Sequence, residues 1–91
     1  MMVIWKFDVL PDKFECEMPE GAAILTVQTQ GSEPKMWALV DPTRPRKTRR
    51  FATFATGQPV PDGGDLRYVG TFQLDGGDLI FHLFEIGVET Q

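Results

Sequence analysis

Polar and apolar positions alternate along most of this chain, and that alternation predicts strands. In VIWKFDV, Val3, Trp5, Phe7 and Val9 oppose Lys6 and Asp8, with Ile4 the one breach. KFECEM sets Phe14, Cys16 and Met18 against Lys13, Glu15 and Glu17. Leu10-Pro11-Asp12 lies between the two runs as a turn, so they are expected to pair as a hairpin. AAILTVQTQ places Ala23, Leu25 and Val27 opposite Thr26, Gln28 and Gln30. After the turn Gly31-Ser32-Glu33-Pro34, KMWALV is apolar on both parities, the pattern of a strand covered on two faces. Asp41-Pro42 ends it, because proline cannot donate to a ladder.

Thr43 to Lys47 is expected to be an extended loop held by Pro42 and Pro45. The next run, TRRFATFATG, is ambiguous, since Phe51, Ala52, Phe54 and Ala55 also fit a short helical face. Its threonines and Gly57 favour a strand with a bulge. Gln58 to Asp65 is the longest loop. LRYVGTFQL then sets Leu66, Tyr68, Phe72 and Leu74 against Arg67, Thr71 and Gln73. Asp75-Gly76-Gly77-Asp78 is the strongest hairpin signal, as glycine accepts the positive φ such turns require. DLIFHLFEI closes the sheet. About seven strands and no secure helix predict a single all-β domain over residues 1–91, an antiparallel barrel or sandwich.

Composition narrows this picture. At 91 residues with 42% hydrophobic and 24% charged side chains, the chain matches an ordinary globular domain whose core is small. Trp5, Phe7, Trp37 and the two apolar faces of residues 36–40 exceed what one thin sheet covers. A homo-oligomer is therefore expected. No apolar run approaches membrane-spanning length, and MMVIWKFDVLPDK lacks the basic start of a signal peptide. A cytoplasmic location is expected, without membrane association.

Charge is distributed unevenly. Five of the nine Lys and Arg residues (Arg44, Arg46, Lys47, Arg49 and Arg50) fall within residues 44–50, although the chain carries a net −4. General nucleic-acid binding is not expected from an acidic chain. Three readings of the cluster stand: a solvated strand end that blocks edge aggregation, a site for an anionic nucleotide, or a surface that pairs with acidic residues of another protein. Arg49 and Arg50 run into Phe51 and Phe54, so these four are candidate ligand-binding residues. Alternation separates Arg49 from Arg50 onto opposite faces unless a bulge intervenes.

The catalytic inventory is thin. His82, Ser32 and Cys16 are single copies of their kinds. His82, on the parity of Ile80 and Phe84, is read first as a hydrogen-bonded structural residue and second as a ligand contact. Cys16 shares parity with Phe14 and Met18 and is expected to be a buried, unreactive thiol. Zinc needs three or four N/S ligands, and the aspartates of PDGGD and LDGGDL lack calcium-loop spacing. Neither an enzyme nor a metal or other cofactor is expected.

VIWKF, MPEGAAILTVQTQ, WALVDP, ATGQPVPD and YVGTFQLDGGDLIFHLFE together resemble a family of short proteins encoded by bacteriophages and bacterial genomes. That family is a domain of unknown function, so the resemblance implies a phage or prophage origin and a compact β domain, without a mechanism. Gln58 departs from it, standing where relatives often carry histidine. The Arg-rich loop and the tail after Glu85 are also less regular. The resulting expectation is a small non-catalytic binding protein, a host-defence antagonist that interferes with a host component in the host cytoplasm. Its target would be a host protein surface or an anionic nucleotide. The alternative is a structural or assembly protein that forms a homo-oligomer.

Overall fold

The computed structural model describes residues 1–62 and 64–87. Its strands are β1 (Val3–Asp8), β2 (Lys13–Pro19), β3 (Ala23–Gln30), β4 (Glu33–Val40), β5 (Arg46–Ala55), β6 (Leu66–Leu74) and β7 (Leu79–Ile86). A short 3-10 turn, Asp75–Gly77, joins β6 to β7, with positive φ at all three residues. Sheet I has the order β1-β4-β3 and sheet II the order β2-β5-β7-β6, and every pairing is antiparallel. The two sheets face each other as a sandwich, not a closed barrel. The smallest dimension is only 16 Å. That leaves room for two layers, so each sheet has one face on the core and one outward.

The expected hairpin of the first two strands does not form. β1 pairs with β4, Val3 opposite Val40, and β2 pairs with β5, Phe14 opposite Phe51. Leu10-Pro11-Asp12 instead carries the chain from one sheet to the other, with Asp12 at φ 58°. Its carbonyl accepts the Thr53 N–H at 3.0 Å, which ties the crossover to sheet II. The same turn chemistry serves either purpose, and the pairing partners decide.

β5 is a strand from end to end, and it begins earlier than its prolines suggest. Arg46 and Lys47, expected in the loop, pair with Pro19 and Met18. Its ladder to β7 shows no register shift. Bulges fall elsewhere, between Ile24 and Thr26 in β3 and between Tyr68 and Gly70 in β6. Each reverses the parity read from sequence. In β3, Ile24 and Val27 turn to the core while Leu25 is 49% exposed. In β6, Val69 packs on the core and Tyr68 is turned outward, 57% exposed.

The core lies between the sheets. Met36, Ala38 and Val40 of β4, Phe51 of β5 and Leu83 of β7 are wholly buried there. The other face of β4 departs from expectation, because Trp37 and Leu39 point outward, half-buried, with no third layer among the described residues. Along one side of the sandwich β3 lies against β6, and Thr29 Oγ1 donates to the Gln73 carbonyl at 2.6 Å. Gly70 makes this approach possible. A Cβ at residue 70 would sit 2.7 Å from Val27 Cγ1. Gly70→Ala is therefore expected to destabilise by about 1–3 kcal/mol in urea denaturation, as overpacking does. Adding Val27→Ala should relieve the clash, so that the double variant loses less than the two single losses summed.

Candidate functional site

The basic run at residues 44–50 does not present one positive surface. Arg44 Nη2 donates to Glu20 Oε1 at 2.9 Å, and Lys47 Nζ lies 3.9 Å from the other oxygen of the same carboxylate. The Arg46 guanidinium sits over the Trp5 ring, 5.2 Å from its centroid, in cation–π geometry. Arg49 and Arg50 take opposite faces of β5, as period two requires. Arg49 turns inward. Its Nε and Nη2 grip both oxygens of Glu85 at 2.6 and 2.8 Å, and Nη1 donates to the Ala22 carbonyl at 2.5 Å. Only Arg50 of the five has no ion-pair or cation–π partner among the described residues.

The Arg49–Glu85 pair closes one border of the core. The Glu85 side chain is 7% exposed and that of Arg49 21%. The carboxylate hydrogen bonds raise the Arg49 pKa above its ordinary value, outweighing burial. Arg67, opposite Glu85 on β6, lines with residues 21–24, Tyr68 and Val69 a polar recess of about 270 Å³ around the pair. Cys16 faces inward on β2, opposite Arg49. Burial pushes its thiol pKa up and Arg49 offsets part of this, so the thiolate is disfavoured.

The residues singled out from sequence are thus divided between two faces. Phe51 is fully buried and stacks on Phe14, with centroids 5.3 Å apart. Phe54 lies on the outer face of sheet II, outside the core cluster, directly opposite His82. Phe84 meets the Phe54 ring edge-on at 5.7 Å and the Tyr68 ring edge-on at 5.5 Å. Arg50 stands at one end of this row, opposite Ile86, with its guanidinium against Gly87. Arg50, Phe54 and His82 therefore share a face with Phe84 and Tyr68.

His82 is held from both sides. Thr56 Oγ1 lies 2.8 Å from Nε2, and Thr71 Oγ1 lies 2.9 Å from Nδ1. Thr71 Oγ1 also lies 2.6 Å from the Tyr68 hydroxyl. Thr56 Oγ1 donates to the Ile80 carbonyl at 3.3 Å, so it accepts from a protonated Nε2. In the neutral ring Nδ1 then accepts from Thr71, which accepts from Tyr68. This chain satisfies every member with the Nε2–H tautomer. It holds the ring by a hydrogen bond at each nitrogen.

Phe84 and Tyr68 were not identified as site residues from sequence. Phe84 shares the parity of His82, so its face was readable. Tyr68 was not, because the bulge after it reverses its side.

Several surface carboxylates carry a pH signature. Asp8, hydrogen-bonded by Lys35 at 2.5 Å, has its pKa lowered from 3.8, chiefly by that bond. Glu20 beside Arg44 is lowered from 4.5, and Asp41, capped by the Thr43 hydroxyl and N–H, from 3.8. Folded values below unfolded ones mean that this stabilisation is complete above the unfolded pKa. It is lost as pH falls through the folded values. The urea midpoint is expected to drop from about pH 5 downward, and Asp8→Asn should shallow that drop.

A two-sheet antiparallel sandwich, with an aromatic outer face on its larger sheet, is the class of domain that this geometry defines. The chain belongs to the family described as Domain of unknown function (DUF7352), whose profile matches residues 1–91. No curated protein and no solved structure matches the chain. No helix among the described residues is long and apolar enough to cross a membrane.

Proposed function

We propose that this domain is a non-catalytic binding protein, phage-encoded and acting in the host cytoplasm, which masks a surface of a host protein. One observation carries the reading: Phe54, Phe84 and Tyr68 form an edge-on aromatic row on the outer face of sheet II, with Phe54 9% exposed, Tyr68 57% exposed and Arg50 at its end. Tyrosine and arginine flanking buried aromatics are the residue types that anchor protein interfaces. Four of the five clustered cations are already engaged within the chain, which favours a protein target over an anionic nucleotide. The His82 chain supports the same reading, because it fixes the side chains of this face by hydrogen bonds at both ring nitrogens.

The test compares immobilised wild-type protein with Tyr68→Glu and with Ile4→Glu, the latter on the opposite sheet, in bacterial lysate. The expected result is a partner held by wild type and by Ile4→Glu, and retained at least tenfold less by Tyr68→Glu. Equal retention by Tyr68→Glu would overturn the assignment of this face.

A second reading, a homo-oligomer formed through sheet I, has its own observation. Trp37 and Leu39 point outward half-buried, and Ile4 and Leu25 beside them are 58% and 49% exposed. Light scattering should then return a dimer or larger mass at micromolar concentration, and a monomer for Ile4→Glu. A wild-type monomer would end this reading.

A further inference from the structure

One cleft is independent of the aromatic face. It opens between the sheets at the end closed by Leu10-Pro11-Asp12 and has a volume of about 280 Å³. Its walls are apolar: Val9 and Leu10, Pro34 of β4, Phe72 and Leu74 of β6, and Phe81 of β7. Phe72 and Phe81, both lining the cleft, stack with centroids 5.7 Å apart. Leu10, 48% exposed, stands at the mouth with Asp12 and Gln58.

Within this apolar space stands a single interior hydroxyl. Thr53 is on the inward parity of β5, opposite fully buried Leu83, and is only 7% exposed. Its N–H is bound by the Asp12 carbonyl, but Oγ1 makes no hydrogen bond among the described residues. No fully enclosed side-chain polar atom is left unpaired among the described residues, so Oγ1 is not fully enclosed. A buried hydroxyl is ordinarily satisfied by its own protein. This one lines the cleft without such a partner among the described residues. Gln58 differs, since its Oε1 is already occupied by the Ala55 N–H at 2.9 Å.

We propose that the cleft is a small-molecule site for an uncharged or cationic compound of about two fused rings, bearing a hydroxyl or amine that hydrogen-bonds Thr53 Oγ1. The volume sets the size: an apolar cavity of ~150 Å³ admits benzene, so nearly twice that admits roughly two rings. The stacked Phe72–Phe81 pair suits a planar ring system. Thr53 supplies the orienting polar contact, as a few placed polar groups do in apolar sites. Asp12 at the mouth disfavours an anion.

The test is an NMR titration of the whole chain with 2-naphthol, naphthalene and 2-naphthoate. 2-Naphthol is expected to shift the amides of Val9, Asp12, Thr53 and Phe72, with ring-to-ring Overhauser contacts to Phe72 and Phe81. Naphthalene should bind about tenfold more weakly, the loss of one buried hydrogen bond. 2-Naphthoate should also bind at least tenfold more weakly. In Thr53→Val, which keeps the shape, 2-naphthol should fall to the affinity of naphthalene. The site is overturned if wild type shows no contacts from 2-naphthol to Phe72 and Phe81, or binds 2-naphthol no better than naphthalene. Neither of these readings depends on the variant folding. A folded Thr53→Val protein that keeps the preference for 2-naphthol overturns it as well.

Discussion

Phe51→Ala is expected to lose about 3–5 kcal/mol, a large share of the roughly 5–15 kcal/mol that holds such a domain folded. The ring is fully buried where sheet II meets sheet I, and it stacks on Phe14 at an interplanar angle of 18°. Removing it takes away apolar burial, and the β-sheet backbone on either side cannot collapse into the space. Phe51→Leu keeps most of the volume and should cost less than about 1.5 kcal/mol. Urea denaturation of the two variants checks both figures. A loss under about 1 kcal/mol for alanine would show that Phe51 is not the centre of the core.

The second large effect separates two adjacent arginines. Arg49→Ala leaves the Glu85 carboxylate, 7% exposed, without its partner, and is expected to cost about 3 kcal/mol. That figure sits at the low end for a buried pair because a fifth of the Arg49 side chain still meets water. Arg50→Ala, on the outer face, should stay within about ±0.5 kcal/mol. Replacing the pair together, Arg49→Met with Glu85→Leu, should recover most of the loss, since buried ion pairs trade nearly evenly with apolar side chains. Equal losses for Arg49→Ala and Arg50→Ala in denaturation would contradict the placement of Arg49.

The strands were legible because nearly every one has a wet face and a dry one. Where that condition fails, the reading weakens with it. β5 reads as a strand, correctly, but with a bulge it lacks and a helical face as the alternative. The cause is that Phe51 and Thr53 face the core while Ala52 and Phe54 are covered on the outer side, so four consecutive residues are buried. The bulges at Leu25 and Val69 were illegible, because each adds one residue without changing the local composition. The opposite facing of Arg49 and Arg50 followed from period two alone. The partners of the cations did not, since Glu85 lies 36 residues from Arg49 and Glu20 lies 24 from Arg44. A cluster in sequence is not a cluster in space. Four of the five charges dispersed onto the carboxylates of Glu20 and Glu85 and the indole of Trp5, and Arg50 alone took no such partner among the described residues.

The crossover at Leu10-Pro11-Asp12 also shapes how the chain reaches this state. β1 waits for β4 and β2 for β5, so the first nineteen residues have no ladder partner until residues 33–55 exist. Only β3–β4 and β6–β7 can zip locally as hairpins. Closing the long loops costs entropy before any contact rewards it, which places such a topology among domains that fold in milliseconds to seconds. On a ribosome that adds ~5–20 residues per second, VIWKFD and KFECEM emerge seconds ahead of the strands that will cover them. The alternating charges of KFECEM, Lys13, Glu15 and Glu17, then guard a nascent edge against pairing with neighbouring chains.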